Sequence, residues 1–272
     1  MIGVLQGRLT LPTNGSLQCF PSATWDKEFA LANECSLDCM ELLFESIYNP
    51  FNPLFSQSGI SELKYLSSEY GIAISSICDD HFMQKPPWGN DSNAALEGFK
   101  TLQILIERCS DLGAKQLVLP FFDKADLKTP QDRLGLINSI ENLLPTAKEF
   151  GVTLALELTL DAKTIKEILS PLKSNYVGVC FDTGNTTGKG LDAAKDILEL
   201  GDLITHVHIK DRRRSDYANV LLGTGDAPFS KIFKSFESIE YSGAFILETF
   251  RDSDPIKTTK THRNFILNSG LN

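Results

Sequence analysis

The sequence predicts an α/β protein in which eight parallel strands and their intervening helices close into a (β/α)8 barrel, the TIM-barrel fold. Three observations support this prediction. Short β-rich apolar runs recur along the whole chain, segments with helical periodicity separate them, and runs such as LVLP and TLALEL are apolar throughout. Strands that are apolar on both faces are typical of a parallel sheet covered by helices on each side. Eight strand–helix alternations within 272 residues favour a closed barrel over an open sheet.

The strands follow one another at spacings that leave room for a helix. The predicted strands are Ile2–Gly7, Cys39–Leu43, Ile72–Cys78, Gln116–Pro120, Thr153–Leu158, Val177–Phe181, Thr205–Ile209 and Ala244–Thr249. The predicted helices are Ala23–Glu34, Ser61–Tyr70, Ala94–Leu112, Pro130–Phe150, Asp161–Ser170, Leu191–Leu200 and Phe229–Ile239. Apolar residues of the fourth helix mostly fall three or four positions apart and so lie on one face. Gly71, Gly113 and Gly151 stand where a helix should end before a strand.

We expect residues 1–272 to form a single domain, because no Pro/Gly/Ser-rich linker or low-complexity tract divides the chain. No GxGxxG motif follows the first strand, which disfavours a dinucleotide-binding fold. The loops after the first three strands are long and rich in proline. Such loops lie on the face of a barrel where active sites are built, and we expect them to cover the substrate.

Composition excludes several kinds of partner. The net charge of -9 disfavours a nucleic-acid surface, which needs clustered lysine and arginine. No apolar run approaches the ~18 residues that a membrane span requires. The six cysteines show no paired spacing, so we expect reduced thiols in a cytoplasmic protein. Arg212–Arg214 form the one basic cluster, for which a solvated loop and an anion-binding role both remain open.

Four predicted strands in the second half end in a residue that can bind a divalent cation. These residues are Glu157, Asp182, His208 and Glu248. A lone carboxylate at a strand end is usually a helix cap or a buried hydrogen-bond acceptor. The carboxyl ends of parallel barrel strands converge on one rim, so four such residues on consecutive strands indicate one site. The mixed oxygen and nitrogen donors suit Mn²⁺, Co²⁺, Mg²⁺ or Zn²⁺.

The motifs around these residues resemble a known family. ALELT, CFDTGN, HVHIKD and ILETF, together with IGVLQGRL near the N-terminus and GTGD before Phe229, are similar to the sugar isomerases and epimerases of the xylose isomerase-like TIM barrels. That group includes ketose 3-epimerases, L-ribulose-5-phosphate 3-epimerases and hydroxypyruvate isomerases. The resemblance spans essentially the whole chain, and its motifs specify the superfamily better than the substrate.

The resemblance implies one divalent metal, with Mn²⁺ the most expected, held by Glu157, Asp182, His208 and Glu248. It also implies that Glu157 and Glu248 are the catalytic residues. Metal coordination of a hydroxy-ketone polarises its carbonyl and acidifies the neighbouring C–H. One glutamate would then remove a proton to give a cis-enediolate, and the other would return a proton on the opposite face. The partner is accordingly a small sugar or sugar phosphate, and since relatives often form dimers or tetramers, a homo-oligomer is open.

Six further residues are candidates for contacting the substrate. Gln6 and Arg8 follow the first strand, and His81 opens the long loop after the third. Lys210 shares the strand face of His208, where a cation would stabilise an enediolate or a phosphate. Arg214 lies where related epimerases place a substrate-binding arginine. Asn185 replaces the histidine that many relatives have in this place, so it can hydrogen-bond a hydroxyl but cannot titrate as an imidazole does.

Three other residues have alternatives that the sequence leaves open or that point away from the site. Glu41 on the second strand could make a structural hydrogen bond or contact the substrate. His206, two residues before His208, should lie deeper in the barrel interior and not bind the metal. His262 is expected on the surface. For a phosphorylated substrate, the candidate anion partners are Arg8, Lys85, Lys210 and Arg214.

Three other functions compete with epimerisation or isomerisation. An inosose-type dehydratase, which is a lyase, uses the same barrel, a metal and acid–base groups. An abasic-site endonuclease needs more metal-binding residues and a basic groove, and four histidines with a charge of -9 make it a poor fit. A non-catalytic sugar-binding barrel has no need for the paired bases Glu157 and Glu248.

Overall fold

The computed structural model describes residues 1–12, 18–45, 49–84, 86–88 and 92–269 and confirms the predicted barrel. Its eight strands are β1 (Ile2–Leu5), β2 (Cys39–Phe44), β3 (Ala73–Asp79), β4 (Gln116–Pro120), β5 (Thr153–Glu157), β6 (Val177–Asp182), β7 (Ile204–Ile209) and β10 (Phe245–Leu247). They close in the order β1-β10-β7-β6-β5-β4-β3-β2, so that each strand pairs with its chain neighbours. All of these pairs are parallel.

A small antiparallel hairpin follows β7, formed by β8 (Asp211–Arg212) and β9 (Asn219–Val220). The α-helices are α1 (Glu28–Glu34), α2 (Gln57–Tyr70), α3 (Ser92–Leu112), α4 (Pro130–Phe150), α5 (Ala162–Leu169), α6 (Thr183–Gly188), α7 (Ala193–Leu200), α8 (Phe229–Ser238) and α9 (Pro255–Asn268). Gly71, Gly113 and Gly151 have positive φ at or just after the ends of their helices, as predicted. Within the described residues, no helix is both long and apolar enough to cross a membrane.

The helices differ from the prediction in several places: α1 and α2 begin at other residues, with α2 starting at Gln57 and not at Ser61, and α6 and α9 were not among the predicted helices. The first begins at Glu28 and not at Ala23, because the preceding residues form turns in which Thr24 N bonds to Pro21 O and Lys27 N bonds to Thr24 O. Helix α6 was not predicted, since its sequence TGNTTG is poor in helix formers. Its cap supplies the missing signal: the Asp182 carboxylate accepts a hydrogen bond from Asn185 N.

The core has two parts, separated by the strands. A large cluster of buried apolar residues lies between the barrel and its helices, and a smaller one joins alternate strand residues such as Leu43, Cys78, Val118, Ala155 and Cys180. Because side chains alternate along a strand, the face that carries this smaller cluster also carries the polar residues at the strand ends. The strand pleat therefore directs those ends toward one common interior.

His262 is buried, so the expectation that it lies on the surface is wrong. Its polar neighbours Thr261 and Arg263 suggested exposure, but α9 turns the imidazole inward. The ring nitrogen Nε2 lies 3.0 Å from the Phe250 carbonyl oxygen, in the segment just after β10. Burial lowers the pKa of His262 to about 4.

Replacing His262 with glutamine should remove a pH-dependent part of the stability. The folded-state pKa of about 4 lies below the ~6.5 of an unfolded histidine. As pH falls, the unfolded state therefore binds this proton first. The stabilising contribution is complete above about pH 6.5 and is lost as the pH falls toward 4.

Urea unfolding at about pH 7.5 and about pH 4.5 tests this prediction. The difference in unfolding free energy between wild type and His262→Gln should change by about 2–3 kcal/mol, with wild type losing more at the lower pH. A difference that is the same at both pH values would contradict it.

Candidate active site

Four side chains meet at the carboxyl ends of the barrel strands. Glu157, Asp182, His208 and Glu248 are all buried, and one potential ligand atom from each lies within 4.8 Å of the others. The strand register explains this meeting. Asp182 is the Cα partner of His208, and Ile246, two residues before Glu248, is the other partner of His208. The structure thus brings together the four residues singled out in the sequence.

Their remaining bonds leave one atom of each residue facing the shared centre. His208 Nδ1 lies 3.0 Å from Glu248 Oε2 and 3.6 Å from Glu157 Oε2. The second Glu157 oxygen, Oε1, accepts a hydrogen bond from Asn185 Nδ2 at 2.8 Å, and Asp182 Oδ1 accepts one from Asn185 N at 2.6 Å. Three carboxylate oxygens and one imidazole nitrogen therefore converge. Such a donor set fits one hard or borderline divalent cation.

Glu41 fixes the orientation of the imidazole of His208. Its Oε1 lies 2.8 Å from His208 Nε2, its Oε2 lies 2.8 Å from His206 Nε2, and Ser76 Oγ donates to Oε2 at 2.7 Å. Because a carboxylate only accepts, we assign a proton to His208 Nε2, so that Nδ1 is the ring nitrogen that faces the centre. Burial alone would raise the pKa of Glu41, but the two histidines lower it. The structure favours the structural role for Glu41 and places His206 in the barrel interior, as expected.

Two cations contact the carboxylates of this group. Lys210 Nζ lies 3.0 Å from Asp182 Oδ2 and 2.8 Å from Glu248 Oε1. Arg8 Nη2 lies 3.3 Å from the same Glu248 oxygen. Burial would lower the pKa of Lys210, but the surrounding carboxylates raise it. Lys210 and Arg8, both predicted to bind substrate, are therefore within the site.

Arg8 also belongs to a polar chain that was not predicted. Its Nη2 donates to Gln18 Oε1 at 2.8 Å, and Gln18 Nε2 donates to both carboxylate oxygens of Asp80 at 2.9 and 2.8 Å. Burial raises the pKa of Asp80 to about 7. This chain joins the loop after β1 to the end of β3. Gln18 gave no signal in the sequence because it follows no strand.

Asn185 contacts the site, and the arginine that reaches it is Arg212. Arg212 Nε donates to Asn185 Oδ1 at 3.0 Å, and its guanidinium lies 4.2 Å from the centre of the Tyr217 ring. Arg214 is exposed, and its Nε donates to the Thr187 carbonyl at 3.0 Å. The structure does not bring Arg214 to the four central residues. Because three arginines are adjacent in the sequence, the sequence alone could not show which of them contacts Asn185.

The other predicted substrate residues lie around the opening. Gln6 is buried, its Oε1 accepts a hydrogen bond from Leu43 N at 3.2 Å, and among the described residues its Nε2 has no partner. His81 is half-buried and packs edge-on against Phe44, with ring centres 5.9 Å apart. Lys85 lies outside the described residues.

The motifs HVHIKD and GTGD are joined by one carboxylate, that of Asp211. Asp211 accepts hydrogen bonds from the backbone nitrogens of Gly223, Gly225 and Ala227, at 2.9, 2.9 and 3.1 Å. A Cβ atom on Gly225 would lie 2.3 Å from Asp211 Oδ1, so this position needs glycine. The pairing explains why an acidic residue and a glycine-rich turn occur together, although 12 to 16 residues separate the bonded positions.

A closed parallel barrel whose strand ends gather three carboxylates and an imidazole defines a TIM-barrel protein with a candidate metal centre. The family model described as xylose isomerase-like TIM barrel matches residues 29–268, and the chain belongs to that family.

Individual relatives are distant in sequence. The L-ribulose-5-phosphate 3-epimerase UlaE of Salmonella heidelberg is 21% identical over 237 residues, covering 84% of this chain and 83% of that protein. An uncharacterized protein of Methanocaldococcus jannaschii is 22% identical over 139 residues, which are 47% of each chain. The solved structure of an L-ribulose 3-epimerase matches with a TM-score of 0.81 at 19% identity, over 98% of this chain and 93% of that one. At such identities the structural likeness establishes the fold.

Replacing Glu41 with glutamine should destabilise the metal-free protein by about 1–3 kcal/mol. The glutamine NH2 group, which only donates, would face a histidine ring nitrogen that in wild type contacts a carboxylate oxygen. Urea unfolding in the presence of a chelator measures the change. The matched control is Glu62→Gln on the exposed face of α2, which should stay within about 0.5 kcal/mol of wild type. An equally small effect at Glu41 would show that its contacts to the histidines contribute little.

Proposed function

We propose that this protein is a divalent-metal-dependent epimerase of a small ketose or ketose phosphate, acting by proton transfer between Glu157 and Glu248. The observation that carries the proposal is the convergence of these two buried glutamates with Asp182 and His208 at one centre. Relatives named for 3-epimerisation of L-ribulose and of L-ribulose 5-phosphate support the reaction class. The proposed reaction inverts one carbon next to the ketone.

The four converging residues would hold the metal, with Mn²⁺ as the proposed ion and Co²⁺, Mg²⁺ and Zn²⁺ as alternatives. When bound, the ion would polarise the substrate carbonyl and acidify the neighbouring C–H. Glu41 would keep the His208 lone pair directed at the centre, which is the usual task of a carboxylate behind a metal-binding histidine.

Glu157 and Glu248 would work on opposite faces of a substrate. Along the barrel, β5 and β10 flank β6 and β7, so the two glutamates lie on either side of Asp182 and His208. One glutamate would take a proton from the carbon, and the other would return a proton from the other side. Each would act over a short, fixed distance, since both side chains are buried.

Lys210 and Arg8 supply positive charge beside Glu248. As the substrate loses its proton, negative charge develops on its oxygens, and a nearby ammonium or guanidinium stabilises it. Asn185, held between Glu157 and Arg212, would hydrogen-bond a substrate hydroxyl. Substrate contacts by Gln6, His81 and Arg214 stay predictions, as do a single domain over residues 1–272, a homo-oligomer and a cytoplasmic location.

The proposed chemistry predicts deuterium uptake at carbon 3. The protein with Mn²⁺ would be incubated in D2O with L-ribulose, L-ribulose 5-phosphate and a panel of other ketopentoses, ketohexoses and their phosphates. NMR should show label at carbon 3 together with the 3-epimer. An aldose carrying the label would indicate an isomerase, loss of water would indicate a dehydratase, and no label in any compound would contradict the proposal.

Glu157→Gln and Glu248→Gln should each lower turnover by about 10²–10⁴-fold, since glutamine cannot transfer a proton. Both residues are also proposed ligands, so each variant is assayed at a Mn²⁺ concentration that saturates it, with bound metal measured directly. The matched control is the exposed Glu167→Gln on α5, which should keep full activity. Full activity in a metal-loaded Glu157 or Glu248 variant would refute the two-base mechanism.

Removing the metal should abolish deuterium uptake, and adding it back should restore the activity. Dialysis against a chelator followed by titration with Mn²⁺, Co²⁺, Mg²⁺ or Zn²⁺ would rank the ions by recovered rate. Circular dichroism should show that the barrel persists without metal, because its core is apolar and independent of the site. Exchange that continues at full rate in the chelated protein would exclude the metal-dependent mechanism.

A further inference from the structure

Lys210 occupies an unexpected place for a substrate-binding residue, because it bonds to the proposed metal ligands themselves. Its side chain is buried, and its Nζ lies 3.0 Å from Asp182 Oδ2 and 2.8 Å from Glu248 Oε1. Glycine at position 184 leaves room for it, since a Cβ there would lie 2.8 Å from Lys210 Cγ. The lysine stem is therefore packed into the wall of the site, and its ammonium is directed at the two carboxylates.

While Lys210 is in this position, both oxygens of Asp182 have a neighbour, although Oδ2 meets the ammonium as an ion pair and accepts no hydrogen bond among the described residues. Its Oδ1 accepts the hydrogen bond from Asn185 N that caps α6, and its Oδ2 faces the ammonium. Glu248 differs, because only its Oε1 contacts Lys210 and Arg8, and its Oε2 faces His208 Nδ1. A metal ion binding all four residues must share or take Asp182 Oδ2 from the lysine, whereas it can use Glu248 Oε2 without disturbing Oε1.

The charges at the site also favour release of Asp182 Oδ2 by Lys210 when a metal ion binds. Two of the three buried carboxylates, Asp182 and Glu248, contact two buried cations, Lys210 and Arg8, so the three carboxylates and two cations together carry one negative charge when all are ionised. A bound divalent ion would change the total to one positive charge. If the ion and the Lys210 ammonium shared one carboxylate oxygen, the two cations would repel each other strongly at low local dielectric. When a glutamate takes a proton from the substrate, the total charge of the site stays the same, but negative charge moves from the glutamate onto the substrate. Such a substrate also gives the displaced ammonium a new partner.

We propose that Lys210 is a placeholder cation: it neutralises Asp182 and Glu248 in the metal-free protein and gives up Asp182 Oδ2 when the metal binds, staying on Glu248 Oε1. This inference rests on the proposed metal site. Two consequences follow, because the ammonium and the ion compete for one oxygen. Loss of the lysine charge should tighten metal binding and should destabilise the metal-free protein.

Lys210→Met removes the charge and keeps the length of the side chain. The dissociation constant for Mn²⁺ would be measured by calorimetry at about pH 8, to limit the replacement of the missing ammonium by protons. Binding should be tighter by about fivefold or more, which is the scale of coupling between two linked binding events. The urea midpoint with chelator should fall, and saturating Mn²⁺ should raise it by more than in wild type.

Two further variants sharpen the test. Lys189→Met removes an exposed lysine at the end of α6. This control should change neither the dissociation constant for Mn²⁺ nor the urea midpoint. Lys210→Gln keeps a hydrogen-bond donor without the charge, so it should bind Mn²⁺ more tightly than wild type even where the methionine variant folds poorly. A variant that folds only with Mn²⁺ would support the proposal, since the ion then replaces the ammonium.

Unchanged or weaker Mn²⁺ binding in both Lys210 variants, with normal binding by wild type, would overturn the placeholder role and leave the proposed function intact. Failure of both variants to fold even with saturating Mn²⁺ would also overturn it. Absence of Mn²⁺ binding in wild type and both variants would refute the metal site itself. Binding by the variants but not by wild type would be the strongest form of the expected competition.

Discussion

The site depends on compensating the charge of three carboxylates that the barrel removes from water. Glu157, Asp182 and Glu248 are each less than a tenth exposed. An unpaired buried charge is costly, so each carboxylate must meet a cation or hydrogen-bond donors. Lys210, Arg8 and Asn185 meet this need. The same demand would favour a divalent ion at the centre, so charge balance links the stability of the barrel end to the proposed chemistry.

A polar layer beneath the centre explains why the imidazole is held so firmly. Glu41 contacts both His206 and His208, and Ser76 completes its bonding. Around this layer the interior is filled by small or medium apolar residues such as Val118 and Cys180. A hydrogen-bonded network in such surroundings has few alternative arrangements, because any rotation would leave a buried donor or acceptor unpaired. The contact with Glu41 thus fixes the His208 ring, and Nδ1 is the ring nitrogen that faces the four-residue centre.

The sequence was sufficient for the barrel and for the four converging residues, because both follow from periodicity. Strands repeat along the chain, and a residue at the end of each one must reach the same rim. The contacts of Glu41, Gln18 and Arg212 could not be predicted in this way. Each depends on a loop path or on rotamers chosen by neighbours distant in sequence, as with Arg212 and Asn185. His262 was misjudged for the same reason, since its polar neighbours gave no sign that α9 turns it inward.

Arg8 and Arg212 lie outside the barrel strands, and buried carboxylates fix the segments that carry them. Glu28 accepts hydrogen bonds from Gly7 N and Thr10 Oγ1 on either side of Arg8, while Asp211 anchors the backbone of the 223–227 turn beside Arg212. Each carboxylate binds backbone or hydroxyl donors and leaves the arginine free to point elsewhere. Loop sequence can therefore vary at the substrate while the anchors stay in place. In the proposed enzyme, this separation would let one proton-transfer centre at the strand ends serve different sugars.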